Sequence, residues 1–206
     1  MLVTFEGIEA AGKSTLIEAL AHDLSIDGET VLVTREPGGT PFGDALRGVF
    51  LDPAFSVDPI AEVMVLNASR AQLVGEVIAP ALKERTTVLC DRFFDATVAY
   101  QGYGRGLNVE SLLEICLVAT HRIAPDLTFL LDLPPEVSRA RVQARGGADR
   151  LEREGPAFHA RVRDGYLDLA TRFSNRYVVL DALTPPAELA ALAIDELRRR
   201  KNAPIV

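Results

Sequence analysis

Five short, almost unbroken apolar runs, separated by stretches of helical periodicity, restrict what this 206-residue chain can fold into. The runs are Leu2 to Phe5, Thr30 to Thr34, Thr87 to Cys90, Leu127 to Leu133 and Tyr177 to Leu180. A strand with one wet face alternates apolar and polar residues, so continuous runs predict strands covered on both faces. Helical patterns are expected over Lys13–Leu24, Gly43–Leu51, Pro59–Glu84, Asn108–Arg122, Pro135–Arg145, Pro156–Phe173 and Pro185–Arg200. Asn108 suits an N-cap and Pro135 a first helical turn, while Pro80 is expected to kink or end its helix. Strand and helix alternating in this way predict a parallel, doubly wound α/β sheet. With 48% apolar residues, residues 1–206 are expected to form one domain that needs neither a metal nor a disulfide to hold its core.

The turn after the first run is the sharpest local signal. Gly7-Ile8-Glu9-Ala10-Ala11-Gly12-Lys13-Ser14 fits G-x-x-x-x-G-K-[ST] and joins a predicted strand to a predicted helix. Glycines at the two ends let backbone N–H groups turn inward, where they and the helix dipole cradle phosphate oxygens. Lys13 would reach the β- and γ-phosphates, and the Ser14 hydroxyl would ligate Mg²⁺. The segment Gly7 to Thr15 is therefore read as a nucleoside triphosphate site. Switch proteins, motors and small-molecule kinases all use such loops, so the outcome for the phosphate must come from other residues.

Charge separates some of these classes. The net charge of −7 argues against a general nucleic-acid binder, whose surface would be broadly basic. Of 22 cations only Lys13, Lys83 and Lys201 are lysine, and the rest are arginine. Arginine in an acidic protein fits a small polyanion held in a pocket, although a base-composition bias of the genome accounts for it equally well. Arg35 leaves the second strand at the end where ligands collect in α/β sheets, followed by a fixed Glu36-Pro37-Gly38-Gly39 turn. Arg70 lies in a mostly apolar helix, where it either meets an anion or is paired or snorkels within the structure. Asp91-Arg92 closes the third strand, the carboxylate placed for Mg²⁺ through water and the guanidinium for an anion. Arg141 and Arg145 share a helix face ahead of Gly146-Gly147-Ala148-Asp149-Arg150, which reads as a lid over about residues 142–155 or as a solvated basic helix end. An acceptor phosphate is already ionised near neutral pH and needs no general base. His22, His121 and His159 sit in no motif and are read as structural or surface residues. The Arg198-Arg199-Arg200-Lys201 run is read as a helix C-terminus.

Cys90 and Cys116 lie in apolar runs and are read as buried thiols of a reducing compartment. No apolar stretch approaches the roughly 18 to 20 residues of a membrane span. Glu6 interrupts the first run, so no signal peptide is expected. The expected setting is cytoplasmic, with no membrane or nucleic-acid partner.

Taken together, the motifs resemble those of the thymidylate kinase family. The resemblance runs through Phe5-Glu6-Gly7, Arg35-Glu36-Pro37-Gly38-Gly39-Thr40, Asp91-Arg92-Phe93, Ala99-Tyr100-Gln101-Gly102-Tyr103-Gly104-Arg105-Gly106, Asp149-Arg150-Leu151-Glu152 and Arg161-Val162-Arg163-Asp164-Gly165-Tyr166. It implies a P-loop α/β/α fold with five parallel strands ordered 2-3-1-4-5, a short lid, a homodimer built on helix faces, and a cis bond before Pro37. It also implies phosphoryl transfer from Mg²⁺-ATP to dTMP. Glu9 would meet the deoxyribose 3′-hydroxyl, Arg35, Arg70 and Arg92 the dTMP phosphate, and Thr97 and Gln101 the thymine edge, with Tyr100 beside C2′ and Pro37 and Leu66 along the site. The loop interior Ile8-Glu9-Ala10-Ala11 has no arginine, so Arg145 and Arg150 of the lid would supply the transition-state cations, with Arg141 near ATP. Two positions depart from the family pattern: Ala10 stands where glycine is usual, and Leu66 where a phenylalanine commonly stacks on thymine. Another monophosphate as acceptor, or a nucleotide switch, are the alternative readings.

Overall fold

The computed structural model describes residues 1–146 and 149–202. Strand β1 (Leu2–Glu6) runs into helix α1 (Lys13–Ile26), then β2 (Val31–Arg35), α2 (Pro41–Leu51) and α3 (Pro59–Leu73). A π-helical turn, Val74–Ile78, leads into α4 (Ala79–Lys83) and β3 (Thr87–Asp91). Next come α5 (Phe94–Thr97), a second π-helical stretch (Val98–Gly104), α6 (Val109–Ala119), β4 (Leu127–Asp132), α7 (Pro135–Arg145), α8 (Pro156–Arg172), β5 (Tyr177–Asp181) and α9 (Pro186–Asn202). The strands form a parallel sheet of order β2-β3-β1-β4-β5, as the resemblance implies. The peptide bond between Glu36 and Pro37 is cis.

Local chemistry explains most helix starts. Thr40 Oγ1 accepts from Gly43 N, Asp58 Oδ1 from Ile60 N, and Asn108 Oδ1 from Ser111 N, each relieving an orphan donor of the first turn. Prolines 41, 59 and 135 occupy first-turn positions where a missing N–H costs nothing. Pro80 does not end the helical run, which continues through Lys83. The π turn just before it inserts the slack that accommodates a residue with no N–H and a bulky ring. The π stretch carrying Tyr100 and Gln101 gave no clear periodic signal, and the sequence reading assigned it no element.

Successive residues of β1 and β3 feed opposite faces. Val3, Phe5 and Leu89 join a core with Leu16, Leu20 and Leu24 of α1 and Ile194 and Leu197 of α9, whereas Leu2, Val88 and Cys90 pack with Leu73, Ile78 and Phe93. Coverage on both faces holds for β1, β3 and β4 but not for the edge strands. Val33 of β2 is 54% exposed and Val179 of β5 49%, because an edge strand has no room for a full helix on each side. Cys90 and Cys116 are both free and buried. The basic run closes α9, where Arg199 and Arg200 pair with Glu196, Arg198 with Asp27 and Lys201 with Glu29.

The parallel register decides what meets what. Arg35 lies opposite Asp91 and Asp91 opposite Phe5, so the ends of β2, β3 and β1 deliver their polar residues to one edge. That edge is where open α/β sheets bind ligands.

Candidate active site

The loop after β1 is built around backbone conformations that few residues tolerate. Gly7 has φ 131°, and a Cβ there would stand 2.5 Å from the Leu131 carbonyl oxygen, so only glycine fits. Ala10 adopts φ 55°, the strained left-handed region, at the position where the family usually has glycine. Ser138 Oγ donates to the Glu9 carbonyl at 2.7 Å and Arg141 Nη1 to the Ala10 carbonyl at 3.0 Å, so α7 braces the loop from outside. Helix α1 opens at Gly12 with no side-chain cap, which leaves its first N–H groups for a ligand. Lys13 is buried, its Nζ donating to the carbonyls of Gly7 at 3.2 Å and Ile8 at 3.1 Å. Burial, reinforced by the nearby Arg92 guanidinium, lowers its pKa from 10.5 to about 8.

A cavity of about 430 Å³ extends from this loop. Residues 9–15, Arg35, Pro37, Leu66, Arg70, Asp91, Arg92, Thr97, Tyr100, Gln101 and Arg145 all line it. Elements and loops far apart in the chain therefore converge on one space.

Arg92, at the end of β3, is held in a left-handed conformation with φ 67°. Its guanidinium donates to the Gly7 carbonyl and Tyr166 Oη at 2.9 Å, and to Glu9 Oε1 and Tyr100 Oη at 3.2 Å. Tyr100 also donates to Glu9. Burial alone would raise the Glu9 pKa, but Arg92, the Tyr100 hydrogen bond and Lys13 together hold the carboxyl below its ordinary value. Behind them Glu6, fully enclosed, accepts from Phe93 N at 2.7 Å and Tyr166 Oη at 2.9 Å. Burial, with Asp95 nearby, pushes its pKa from 4.5 to about 8.

Three positions were missed by sequence reasoning. Arg47 of α2 lines the cavity and donates to the Pro37 carbonyl at 2.9 Å. Burial and then the fields of Arg35 and Arg92 lower its pKa, against the opposing pull of Asp91 and Asp149. Nothing marks Arg47 in the sequence beyond an arginine on a helix following a ligand-end turn. His159 places Nδ1 3.6 Å from Glu9 Oε2, so it stands at the site instead of on a remote surface. Glu62, wholly buried, receives Gln101, Arg105 and Arg150.

Two arginines are held by buried carboxylates. Arg70 is 2% exposed and its fork is spent within the protein: Nε donates to Glu36 Oε2 at 2.8 Å, Nη1 to Asn67 at 2.8 Å, and Nη2 to Thr97 Oγ1 at 2.9 Å. Arg70 is therefore paired within the protein and shares Thr97 with the expected base-reading groups, while lining the same cavity as Arg35 and Arg92. Arg150 lies outside the cavity lining. Its Nε donates to the Phe50 carbonyl at 2.9 Å and its Nη1 to Glu62 at 2.5 Å, with the guanidinium over the Phe50 ring. A buried carboxylate outcompetes solvent for this cation and draws it away from the phosphate loop. Arg145 does face the cavity, paired to Glu152 at 2.5 Å while still 56% exposed. Gly147 and Ala148 of the expected lid lie outside the described residues.

Asp91 and Ser14 fit a hard divalent cation. Asp91 Oδ2 is 3.5 Å from Ser14 Oγ, and Asp91 Oδ1 is buried with no partner among the described residues. No cluster of three or more His, Cys, Asp or Glu able to hold a metal occurs among the described residues. A carboxylate and a hydroxyl completing their shell with substrate oxygens is the Mg²⁺ pattern.

A phosphate-binding loop and a group of guanidinium side chains lining one cavity define a P-loop kinase of small phosphorylated acceptors. Sequence comparison specifies which: residues 5–192 match the thymidylate kinase family model, and the chain belongs to that family. It is 49% identical over 208 residues to the thymidylate kinase of Geobacter sp. (strain M21), covering 98% of this chain and 92% of that one. With the thymidylate kinase of Deinococcus radiodurans it shares 49% identity over 191 residues, 93% of each chain. Among solved structures, the thymidylate kinase of Ehrlichia chaffeensis superposes with a TM-score of 0.77 at 31% identity, covering 96% of this chain and 98% of that one.

Proposed function

We infer that this chain phosphorylates dTMP to dTDP with ATP as donor, in the cavity lined by the Lys13 loop and by Arg35, Arg47 and Arg92. The observation that carries the reading is the gathering of those three cations around one space that the triphosphate loop also lines. Such mutual repulsion is relieved when a dianion enters between them.

In this reading the acceptor phosphate, ionised at neutral pH, attacks the γ-phosphorus through one of its oxygens. The new O–P bond forms as the bond to the β-phosphate oxygen breaks, and no proton has to be removed. Catalysis is then positioning and charge neutralisation. Arg92 and Arg35 hold the acceptor, Arg47 with them; Lys13 and the loop amides of residues 7–15 hold the donor; Arg145 supplies the cation as charge spreads over the transferred group. Ser14 and Asp91 would hold Mg²⁺, which supplies further neutralisation on the donor oxygens. Glu9, kept ionised by Arg92, accepts from the sugar 3′-hydroxyl, and Tyr100, fixed by edge contacts to Phe158 and Tyr166, fills the space beside C2′. Thr97 and Gln101 read the base, with Leu66 as an apolar wall.

The working unit proposed is the whole chain, with residues 142–155 as its lid. Val49, Ile60, Met64 and Val118 are exposed on α2, α3 and α6, which supports a homodimer on those helix faces. No helix among the described residues is long and apolar enough to cross a membrane. The two free buried thiols support a cytoplasmic setting.

A substrate panel tests the assignment. ATP consumption should be negligible alone and rise sharply with dTMP, more than with dCMP, UMP or AMP, and Lys13→Ala should abolish it. Hydrolysis indifferent to monophosphates would instead favour a nucleotide switch.

A further inference from the structure

Among the groups the proposed mechanism leaves unused, Glu62 of α3 stands out. It is completely buried, yet it is not part of the cavity wall. Three side chains converge on it, two from the π stretch and its end and one from far along the chain. Gln101 Nε2 donates to Oε2 at 2.8 Å, Arg105 Nη2 to Oε1 at 3.1 Å, and Arg150 Nη1 to Oε1 at 2.5 Å. On the other side of the same amide, Gln101 Oε1 is buried, without a partner among the described residues, in a residue that does line the cavity.

We propose that Glu62 is a positioning residue for base selectivity: by accepting from the Gln101 amide nitrogen it forces the amide oxygen toward the substrate, so that the site accepts only a ring-edge donor. The logic follows from hydrogen-bond inventory. A carboxylate flanked by two guanidinium groups can only accept, whereas a primary amide donates at one end and accepts at the other. With the donor end committed to Glu62, reversal of the amide would set oxygen against oxygen in a buried space. Thymine carries an N–H at ring position 3 and satisfies Gln101 Oε1. Cytosine presents a lone pair there and leaves two acceptors opposed, the kind of mismatch that discriminates strongly. Arg105 and Arg150 balance the buried charge and pin the carboxylate from two directions. This inference rests on the reading of Gln101 as a base contact.

The test compares dTMP, dUMP and 5-methyl-dCMP as acceptors. Glu62→Gln places an amide where the carboxylate was, which can donate to Gln101 Oε1 and release the constraint. The expected result is a roughly tenfold rise in KM for dTMP, equivalent to losing one hydrogen bond. The kcat/KM ratio of dTMP to 5-methyl-dCMP should narrow by at least about tenfold. The dTMP to dUMP ratio should hold, since both bases carry the N–H, and a merely loosened fold would not separate these ratios. A folded Glu62→Gln protein with an unchanged dTMP to 5-methyl-dCMP ratio overturns the proposal. If Glu62→Gln does not fold, Glu62→Asp keeps the charge but withdraws the carboxylate by one methylene, and should raise the dTMP KM and partly narrow the same ratio; no change in either overturns the proposal. Gln101→Met separates the two readings. An unaltered dTMP KM in that variant removes Gln101 from the base, whereas a raised KM there with an unaffected Glu62→Gln ratio removes only the role of Glu62.

Discussion

The buried lysine of the phosphate loop makes activity depend on pH in a way that can be worked out in advance. Lys13 has two carbonyl partners but little water, and Arg92 nearby adds repulsion, so its pKa falls from 10.5 to about 8. Holding the ammonium there costs roughly 3 kcal/mol more than in water, at about 1.4 kcal/mol for each tenfold. Lysine is charged below its pKa, so the free enzyme carries the cation on about nine-tenths of molecules at pH 7 and about one-tenth at pH 9. The substrate phosphates are fully ionised above about pH 7 and contribute nothing in that range. With dTMP held well below saturation, kcat/KM for ATP should therefore be nearly level to about pH 7 and fall close to tenfold by pH 9, because under that condition the parameter reports the free enzyme. The kcat measured at saturating ATP should fall later, since bound phosphates stabilise the ammonium. Glu6 also titrates near 8 by virtue of burial, and Glu6→Gln should leave the alkaline fall in place. Lys13→Arg should lower the plateau but abolish the fall, since guanidinium does not titrate. A level kcat/KM to pH 9 in the wild-type protein, or a fall that persists in Lys13→Arg, would refute the argument.

Three further outcomes can be checked. Leu66→Phe restores an aromatic wall beside the base and should lower the dTMP KM twofold to tenfold, from roughly 0.5 to 1.5 kcal/mol of ring stacking, measured by steady-state kinetics. Arg70→Met leaves Glu36 buried and unpaired, and should cost about 3 to 5 kcal/mol in thermal denaturation, with Glu36→Gln recovering part of the loss. Burial already raises the Glu36 pKa against the pull of Arg70, so the unpaired carboxyl is tolerated when protonated; the Arg70→Met penalty should be smaller at pH 5 than at pH 8. Gly165→Ala would put a Cβ 2.5 Å from Tyr103 Cγ, where α8 crosses the π stretch, and should destabilise by about 1 to 3 kcal/mol in urea unfolding.

The same contrast between local and distant causes runs through the structure. The phosphate loop, the caps at Asn108 and Pro135, and the position of all five strands were legible because each depends on residues adjacent in the chain. The Gly7 to Ser14 turn has a single geometry that satisfies its glycines, so its role could be read directly. Limits appeared where the chain leaves regular periods. The π stretch at Val98–Gly104 fits neither repeat, although it carries Tyr100 and Gln101, which only the family resemblance brought to notice. Exposure of β2 and β5 was also beyond the apolar pattern, since an edge is a property of strand order and not of the strand.

By itself, then, the sequence determined the alternating architecture, the triphosphate loop and which cations were available. Their partners were decided only in the folded molecule. Arg35 comes beside Asp91 because β2 and β3 run in parallel register. Arg70 is withdrawn by Glu36, 34 residues away, and Arg150 by Glu62, 88 residues away. An ion pair forms where burial removes water from both charges, and burial at a given residue is set by elements far from it in the chain.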